Sequence, residues 1–224
     1  MKYTIITISD ERKENIEFIK NVMSRNELIS SIEFVDGRKC NPFDILNHIG
    51  ISRDVYAPDD GRTFPMTEAE CGCWISHVRC IEFAVDNKLD KFLVFEDDAI
   101  LDNNFMSTLM LSINDLPDGW DFLSLYSDAS QNYLSIDSDI GSQVIHKCIA
   151  QLSWNQVMLY SYSGAIKLLR LFKRKGATYN IDSVIYRASR DGFVNGYILR
   201  PDCEPCVSHG KYISIIDPNN SRKI

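Results

Sequence analysis

The sequence predicts an α/β fold built on a parallel sheet, and three stretches carry that prediction. The first is an opening strand–helix–strand order, the usual start of such sheets. Tyr3–Ile8 alternates β-branched residues and runs into Ser9-Asp10, a helix-capping pair. Ile16, Phe18, Ile19, Val22 and Met23 then recur at near-helical spacing up to about Arg25. Ser31–Val35 reads as the second strand, closed by the Asp36-Gly37 turn. The second stretch is a well-signed helix. Thr67 and Glu70 form a capping box, with Met66 placed to staple onto Cys71. Cys71, Trp74, Ile75, Val78, Ile81 and Val85 make one apolar stripe behind it. At 100° per residue His77 falls on the shoulder of that stripe, and Ser76 further round toward the far side. The third stretch is Lys91–Leu101, which this helix feeds. Phe92–Phe95 form the apolar run of a strand buried on both faces, and Glu96, Asp97 and Asp98 follow it directly.

The remaining elements follow in order. Residues 40–65 contain Pro42, Pro58, Gly61 and Pro65 and read as a short helix and then an exposed loop. Phe105–Ile113 is a helix, stopped by Pro117-Asp118-Gly119, and Asp121–Leu125 is a strand. Residues 126–142, rich in Ser, Asp and Asn, form a loop. Val144–Ile149 and Gln156–Tyr160 are strand candidates, and Ser163-Gly164-Ala165 opens a helix through Phe172. A last helix spans about Ile181–Ala188 with Asp182 in its first turn, a common helix-dipole position. A final strand, Phe193–Leu199, leads into an irregular tail. No internal repeat is present.

The triple acid is the chemical signal. Buried carboxylates cost several kcal/mol each unless paired or bound to a metal. Acids at the carboxyl end of an α/β strand also lie where such folds place their ligand crevice. Oxygen ligands select Mg²⁺ or Mn²⁺, which in turn hold phosphate oxygens. A solvated acidic turn is the competing reading.

Composition bounds the rest. The 224 residues suit one domain. A net charge of −7 argues against nucleic acid as the main partner, since such domains usually carry a basic face. No apolar run reaches the roughly 18–20 residues that span a bilayer. The amino terminus is too short and β-branched for a signal peptide. Seven cysteines, an odd count among apolar neighbours, fit reduced thiols and a cytoplasmic location. Cys203 and Cys206 have CxxC spacing, but their one candidate partner pair, Cys71 and Cys73, has the wrong spacing for a structural zinc site. Lys167, Arg170, Lys173, Arg174 and Lys175 offer a basic helix face for peripheral association with the inner side of a membrane; an ordinary solvated face is the competing reading.

Thr67-Glu68-Ala69-Glu70-Cys71-Gly72-Cys73-Trp74-Ile75-Ser76-His77, about twenty residues before a strand ending Phe95-Glu96-Asp97-Asp98, resembles glycosyltransferase family 25. That family includes lipooligosaccharide galactosyltransferases and collagen galactosyltransferase domains. Further likenesses are Ile5–Ser9 with Arg12, Val35-Asp36-Gly37, Tyr162-Ser163-Gly164-Ala165, Asn180-Ile181-Asp182 (with Asn where the family has Pro) and Pro205–Ile216. The Ser-His and Glu-Asp-Asp blocks at this spacing are the specific part.

The resemblance implies a GT-A-like, Rossmann-type fold, a mixed and largely parallel sheet with helices on both faces. It implies one domain over 1–224, with a nucleotide-sugar-binding half at 1–125 and an acceptor half with the tail at 126–224. The implied activity is a metal-dependent, inverting transfer of a hexose from a UDP-sugar to a glycan hydroxyl, lipid-linked acceptors included. Asp98 would ligate Mn²⁺ or Mg²⁺, Glu96 would touch the metal's water shell or the ribose, and His209 would be a third ligand. Ile8, Ser9, Arg12, Ser76, His77, Glu96, Asp97 and Lys211 would line the donor site. Inversion needs a carboxylate base on the acceptor hydroxyl; Asp182 is the first candidate and Asp128 the second. A protein or modified-nucleobase acceptor, a non-catalytic nucleotide-sugar-binding module and a metal-dependent phosphoesterase are the alternatives.

Overall fold

The computed structural model describes residues 1–8, 10–32, 35–36, 68–125, 144–149, 155–175, 180–200 and 207–209; at 35–36, 68–69, 175 and 207–209 it describes the backbone alone. The strands are β1 (Lys2–Thr7), β2 (Ser30–Ser31), β3 (Val35–Asp36), β4 (Lys91–Glu96), β5 (Ala99–Leu101), β6 (Phe122–Ser124), β7 (Ile145–Lys147), β8 (Val157–Ser161), β9 (Gly196–Leu199) and β10 (Val207–His209). The helices are α1 (Lys13–Met23, entered through a 3-10 turn at Asp10–Arg12), α2 (Glu68–Asp86), α3 (Phe105–Asp115), α4 (Tyr162–Lys175) and α5 (Ile181–Arg190).

The main sheet has the order β2-β1-β4-β8-β6-β9-β7, and β3 also pairs with β1. β1 is parallel to β2, β3 and β4, and β6 is parallel to β9. β8 runs antiparallel to both its neighbours, and β7 antiparallel to β9. The architecture is therefore a mixed, largely parallel sheet with helices on both faces. The expected second strand divides into two short pairings, Ser30–Ser31 beside Lys2-Tyr3 and Val35–Asp36 beside Ile6-Thr7.

Strand alternation sorts the core into two faces. Phe92 and Val94 of β4, Met158 and Tyr160 of β8 and Phe122 of β6 pack under Trp74, Ile75, Val78 and Ile81 of α2, Phe172 of α4 and Ile185 of α5. Leu93, Phe95, Val157, Leu159 and Leu123, the alternate positions, pack against Ile16, Ile19 and Met23 of α1 and Phe105 and Leu109 of α3. The α2 stripe read from the sequence is the one that is buried, with Trp74 edge-on to Phe172 at 5.1 Å. Close approach of α4 to the sheet requires Gly164, because a Cβ there would meet the Asp121 carbonyl oxygen at 2.1 Å.

Two elements differ from the sequence reading. Ala99–Leu101, expected to continue the acidic segment, forms the separate strand β5. Within the tail expected to be irregular, Val207–His209 pairs antiparallel with it. The loops at 40–65 and 126–142 and the Thr67 capping box lie outside the described residues.

Candidate active site at the carboxyl ends of β1 and β4

β2 and β3 lie on one side of β1, and β4 lies on the other. Strand order thus reverses between β1 and β4, the place where open α/β sheets leave a crevice beyond their carboxyl ends. There Ile8 and Arg12, after β1, meet Asp97 and Asp98, after β4.

The three acids have three environments. Asp97 is turned inward and its side chain is 1% exposed. It accepts the Arg12 Nη1–H at 2.5 Å on Oδ1 and the Ile8 backbone N–H at 2.7 Å on Oδ2. Arg12 is itself buried, so the pair satisfies two groups that would be costly alone. Asn15, one turn along, donates to the Asp97 carbonyl at 2.8 Å and the Ala99 carbonyl at 2.9 Å, pinning the turn between β4 and β5 to α1. Arg12, Asp97 and the Ile8 amide, proposed from the sequence as donor contacts, are joined to one another in a buried clamp.

Asp98 faces outward from that clamp, with its side chain 22% exposed. Arg12 Nη1 lies 3.4 Å from its Oδ2, while Oδ1 is buried without a hydrogen-bond partner among the described residues. Burial, then the neighbouring Glu96 and Asp97 charges, push the Asp98 carboxyl up to about 7, against the opposing pull of Arg12. A second cation would relieve this crowding of negative charge. Glu96, 24% exposed, has its Oε1 3.1 Å from His77 Nε2 and 4.0 Å from Cys73 Sγ.

His77 and Ser76 are both fully buried. His77 points at Glu96, as a residue lining the crevice would. Ser76, placed by the helical wheel toward the far side, instead faces the core, and its hydroxyl donates to the Gly72 carbonyl one turn back at 2.8 Å. Helices α4 and α5 share this face of the sheet with α2, so α2 has no broad solvent side. Asp182 stands partly buried in the first turn of α5, where its carboxylate accepts the Ser183 N–H at 2.7 Å. Its charge bears on the Cys73 thiol, which burial, then Glu96, Asp182, Asp98 and Glu70 push well above its ordinary range. Asp182 is thus within electrostatic reach of the cluster around Glu96. His209 is brought close by its backbone: it pairs with Ala99, the residue after Asp98. Ser9, Asp128 and Lys211 lie outside the described residues.

Asn15 was not singled out from the sequence, and Cys73 only as half of a Cys71–Cys73 pair with the wrong spacing for structural zinc. Cys73 stands four residues before His77 on one helix face, a visible signal masked by its apolar neighbourhood. Asn15 gives no such signal, because a polar residue on the first turn of a helix is ordinary.

A family model described as glycosyltransferase family 25 (LPS biosynthesis protein) matches residues 3–146, well over half of the chain. The chain belongs to glycosyltransferase family 25. Among its curated relatives, a rat protein named "Probable inactive glycosyltransferase 25 family member 3" is 34% identical over 99 residues, covering 42% of this chain and 17% of that protein. Human procollagen galactosyltransferase 2 is 29% identical over 100 residues, covering 44% and 16%. This family 25 chain spans less than a quarter of the length of the curated relatives it matches. Among solved structures, apo mouse xyloside xylosyltransferase 1 aligns with a TM-score of 0.46 and 9% identity, over 94% of this chain and 84% of that one.

Proposed function

We propose that this family 25 chain is a metal-dependent, inverting glycosyltransferase that moves a hexose from a UDP-sugar to a glycan hydroxyl. The observation that carries the reading is Asp98: a crowded carboxylate with one oxygen unpartnered among the described residues, beside a partly exposed Glu96, beyond the carboxyl ends of β1 and β4. Two oxygen ligands, one with an unmet lone pair, suit Mg²⁺ or Mn²⁺. Asp98 would hold the cation directly and Glu96 would hold its water shell or the ribose, with His209 as the third candidate ligand. When bound, such a cation supplies Lewis-acid neutralisation of the departing nucleoside diphosphate.

The chain's own residues do the rest. The Arg12–Asp97 clamp fixes the wall against which the donor lies, and Asn15 holds the turn that presents Asp98. His77 orients Glu96. Asp182, in a first helical turn with its charge near this cluster, takes the proton of the acceptor hydroxyl, with Asp128 as second choice. The relative named procollagen galactosyltransferase makes galactose the first donor sugar to test, and the family description, LPS biosynthesis protein, makes a glycan hydroxyl the first acceptor class. Among the described residues no helix is long and apolar enough to cross a membrane, and a cytoplasmic location with peripheral access to lipid-linked acceptors accompanies this reading.

The deciding experiment is thermal unfolding with UDP-galactose, UDP-glucose or UDP, each with and without Mn²⁺, on wild type and Asp98→Ala. A ligand of the native state raises its melting temperature. A metal-dependent rise that Asp98→Ala abolishes supports the site; no rise with any nucleotide overturns it. A second reading, a nucleotide-sugar-binding module without turnover, is favoured by the word "inactive" in the rat relative's name. Metal-dependent donor binding without hydrolysis or transfer to any acceptor would select that reading.

A further inference from the structure

Glu96 faces two chemically different neighbourhoods. On one side stands the carboxylate Asp98; on the other stand Cys73 and His77, a thiol and an imidazole one helical turn apart on α2. We propose that Cys73 Sγ, His77 Nε2 and Glu96 Oε1 form a second cation site, for a divalent ion of the zinc class, and that the two sites compete because they share Glu96.

The geometry is the first support. The three ligand atoms lie within 4.8 Å of one another, with His77 Nε2 at 3.1 Å and Cys73 Sγ at 4.0 Å from Glu96 Oε1. A tetrahedral zinc with sulfur at about 2.3 Å and nitrogen or oxygen at about 2.0–2.1 Å separates its ligand atoms by roughly 3.3–3.6 Å, so side-chain adjustments of about an ångström close the site. Two ligands come from one face of a packed helix and the third from the end of a central strand, elements that hold a site rigidly. Glu96 is 24% exposed, so its side of the cluster reaches solvent, while His77 is 1% exposed.

Ligand chemistry is the second support. A thiolate and an imidazole favour zinc-class ions over Mg²⁺ or Mn²⁺, whereas a carboxylate pair favours the reverse. His77 is held in place without a second polar tie: its Nδ1 is buried and has no partner among the described residues, so its one polar interaction points into the cluster. Binding displaces the Cys73 thiol proton to solvent and replaces the His77–Glu96 hydrogen bond with two metal bonds. Zinc-class ions would thereby withdraw Glu96 from the oxygen-ligand site. That competition rests on the function proposed above; the binding itself does not.

Co²⁺ is the probe, because a thiolate-bound cobalt shows a near-ultraviolet charge-transfer band that a site of carboxylates lacks. The full chain is titrated with Co²⁺ as wild type, Cys73→Ser, His77→Gln and the double variant Cys203→Ser/Cys206→Ser. The expected result is a band that saturates at one equivalent, persists in the Cys203/Cys206 variant, disappears in Cys73→Ser and needs at least tenfold more Co²⁺ in His77→Gln. Should Cys73→Ser fail to fold, the His77→Gln titration decides. A band that follows Cys203 and Cys206, or no band in wild type, overturns the site. Asp98→Ala separates the two readings: it should leave the cobalt band in place while abolishing the Mn²⁺-dependent donor shift. A Zn²⁺-loaded wild type that binds UDP-sugar with Mn²⁺ as well as the zinc-free chain would overturn the competition.

Discussion

Two sets of acids sit at opposite ends of the same sheet. Asp121 lies just before β6, and Glu96–Asp98 lies at and just after the end of β4; β4 and β6 run the same way, each antiparallel to β8. Asp121 is fully buried, yet it accepts the Lys167 ammonium at 2.9 and 2.7 Å, the Asn195 backbone N–H at 2.8 Å and the Ser163 hydroxyl at 3.4 Å. Its lone pairs are taken, and what it does is tie α4 and the start of β9 to the sheet. At the carboxyl end the pattern is split: Asp97 is as fully engaged as Asp121, while Asp98 beside it keeps an oxygen unpartnered among the described residues. Burial alone does not distinguish a structural acid from an available one. Satisfaction of its acceptor sites does.

The largest expected effect breaks the engaged half of the acidic end. Arg12→Ala removes the cationic partner of the buried Asp97 carboxylate, and removing one partner of a buried pair costs about 3–5 kcal/mol. Urea unfolding should show that loss, and Asp97→Asn in the Arg12→Ala background should restore part of it. A loss under about 1 kcal/mol would mean that water reaches Asp97 and that the clamp is not a wall.

The next effect tests the available half. With the folded Asp98 near 7 against an unfolded value of 3.8, the native state holds the extra proton between those values. Stability of the metal-free chain should therefore be full below about pH 4 as far as this group is concerned, and fall as pH rises toward 7 by an amount on the order of a few kcal/mol. Asp98→Asn should flatten that limb, and Mn²⁺ should flatten it in wild type. A pH profile of unfolding free energy that Asp98→Asn leaves unchanged would place the group in an ordinary solvated turn.

Much of this was legible in the sequence because it depends on local pattern. The apolar run at Phe92–Phe95, the α2 stripe and the triple acid fix a strand, its covering helix and a charged strand end without any long-range information. The division of labour within the triple acid was not legible. Which of Glu96, Asp97 and Asp98 turns inward depends on Arg12 and Asn15, more than 80 residues away, and on the turn to β5. Ser76 was misplaced for a related reason: a helical wheel assumes one buried face, and α2 is covered by the sheet, α4 and α5 together. Asp121 gave no sign of its role, since its partners Lys167 and Asn195 are likewise distant in the chain.

At the amino end of the sheet the consequences should be confined to stability. Asp121→Asn keeps the shape but places an amide where the Asn195 N–H and Lys167 expect an acceptor, and an unsatisfied buried donor costs about 1–3 kcal/mol. Donor binding, measured by the Mn²⁺-dependent thermal shift, should be unchanged; a lost shift would couple the two ends and erase the distinction drawn between them.

The smallest effect belongs to Lys167. Its side chain is 43% exposed against 0% for Asp121, so solvent already screens the ammonium, and half-exposed pairs contribute little. Lys167→Met should cost about 1 kcal/mol, less than Asp121→Asn, because the Asn195 and Ser163 bonds to the carboxylate survive and water can reach the vacated oxygen. The same variant sharpens the question of the basic helix face. Lys167 is committed to Asp121 rather than presented to an anionic surface, so sedimentation with anionic vesicles should be the same for Lys167→Met as for wild type. If vesicle binding exists and falls with this substitution, the Asp121 pair is not what holds Lys167, and the amino end of the sheet would have a binding role of its own.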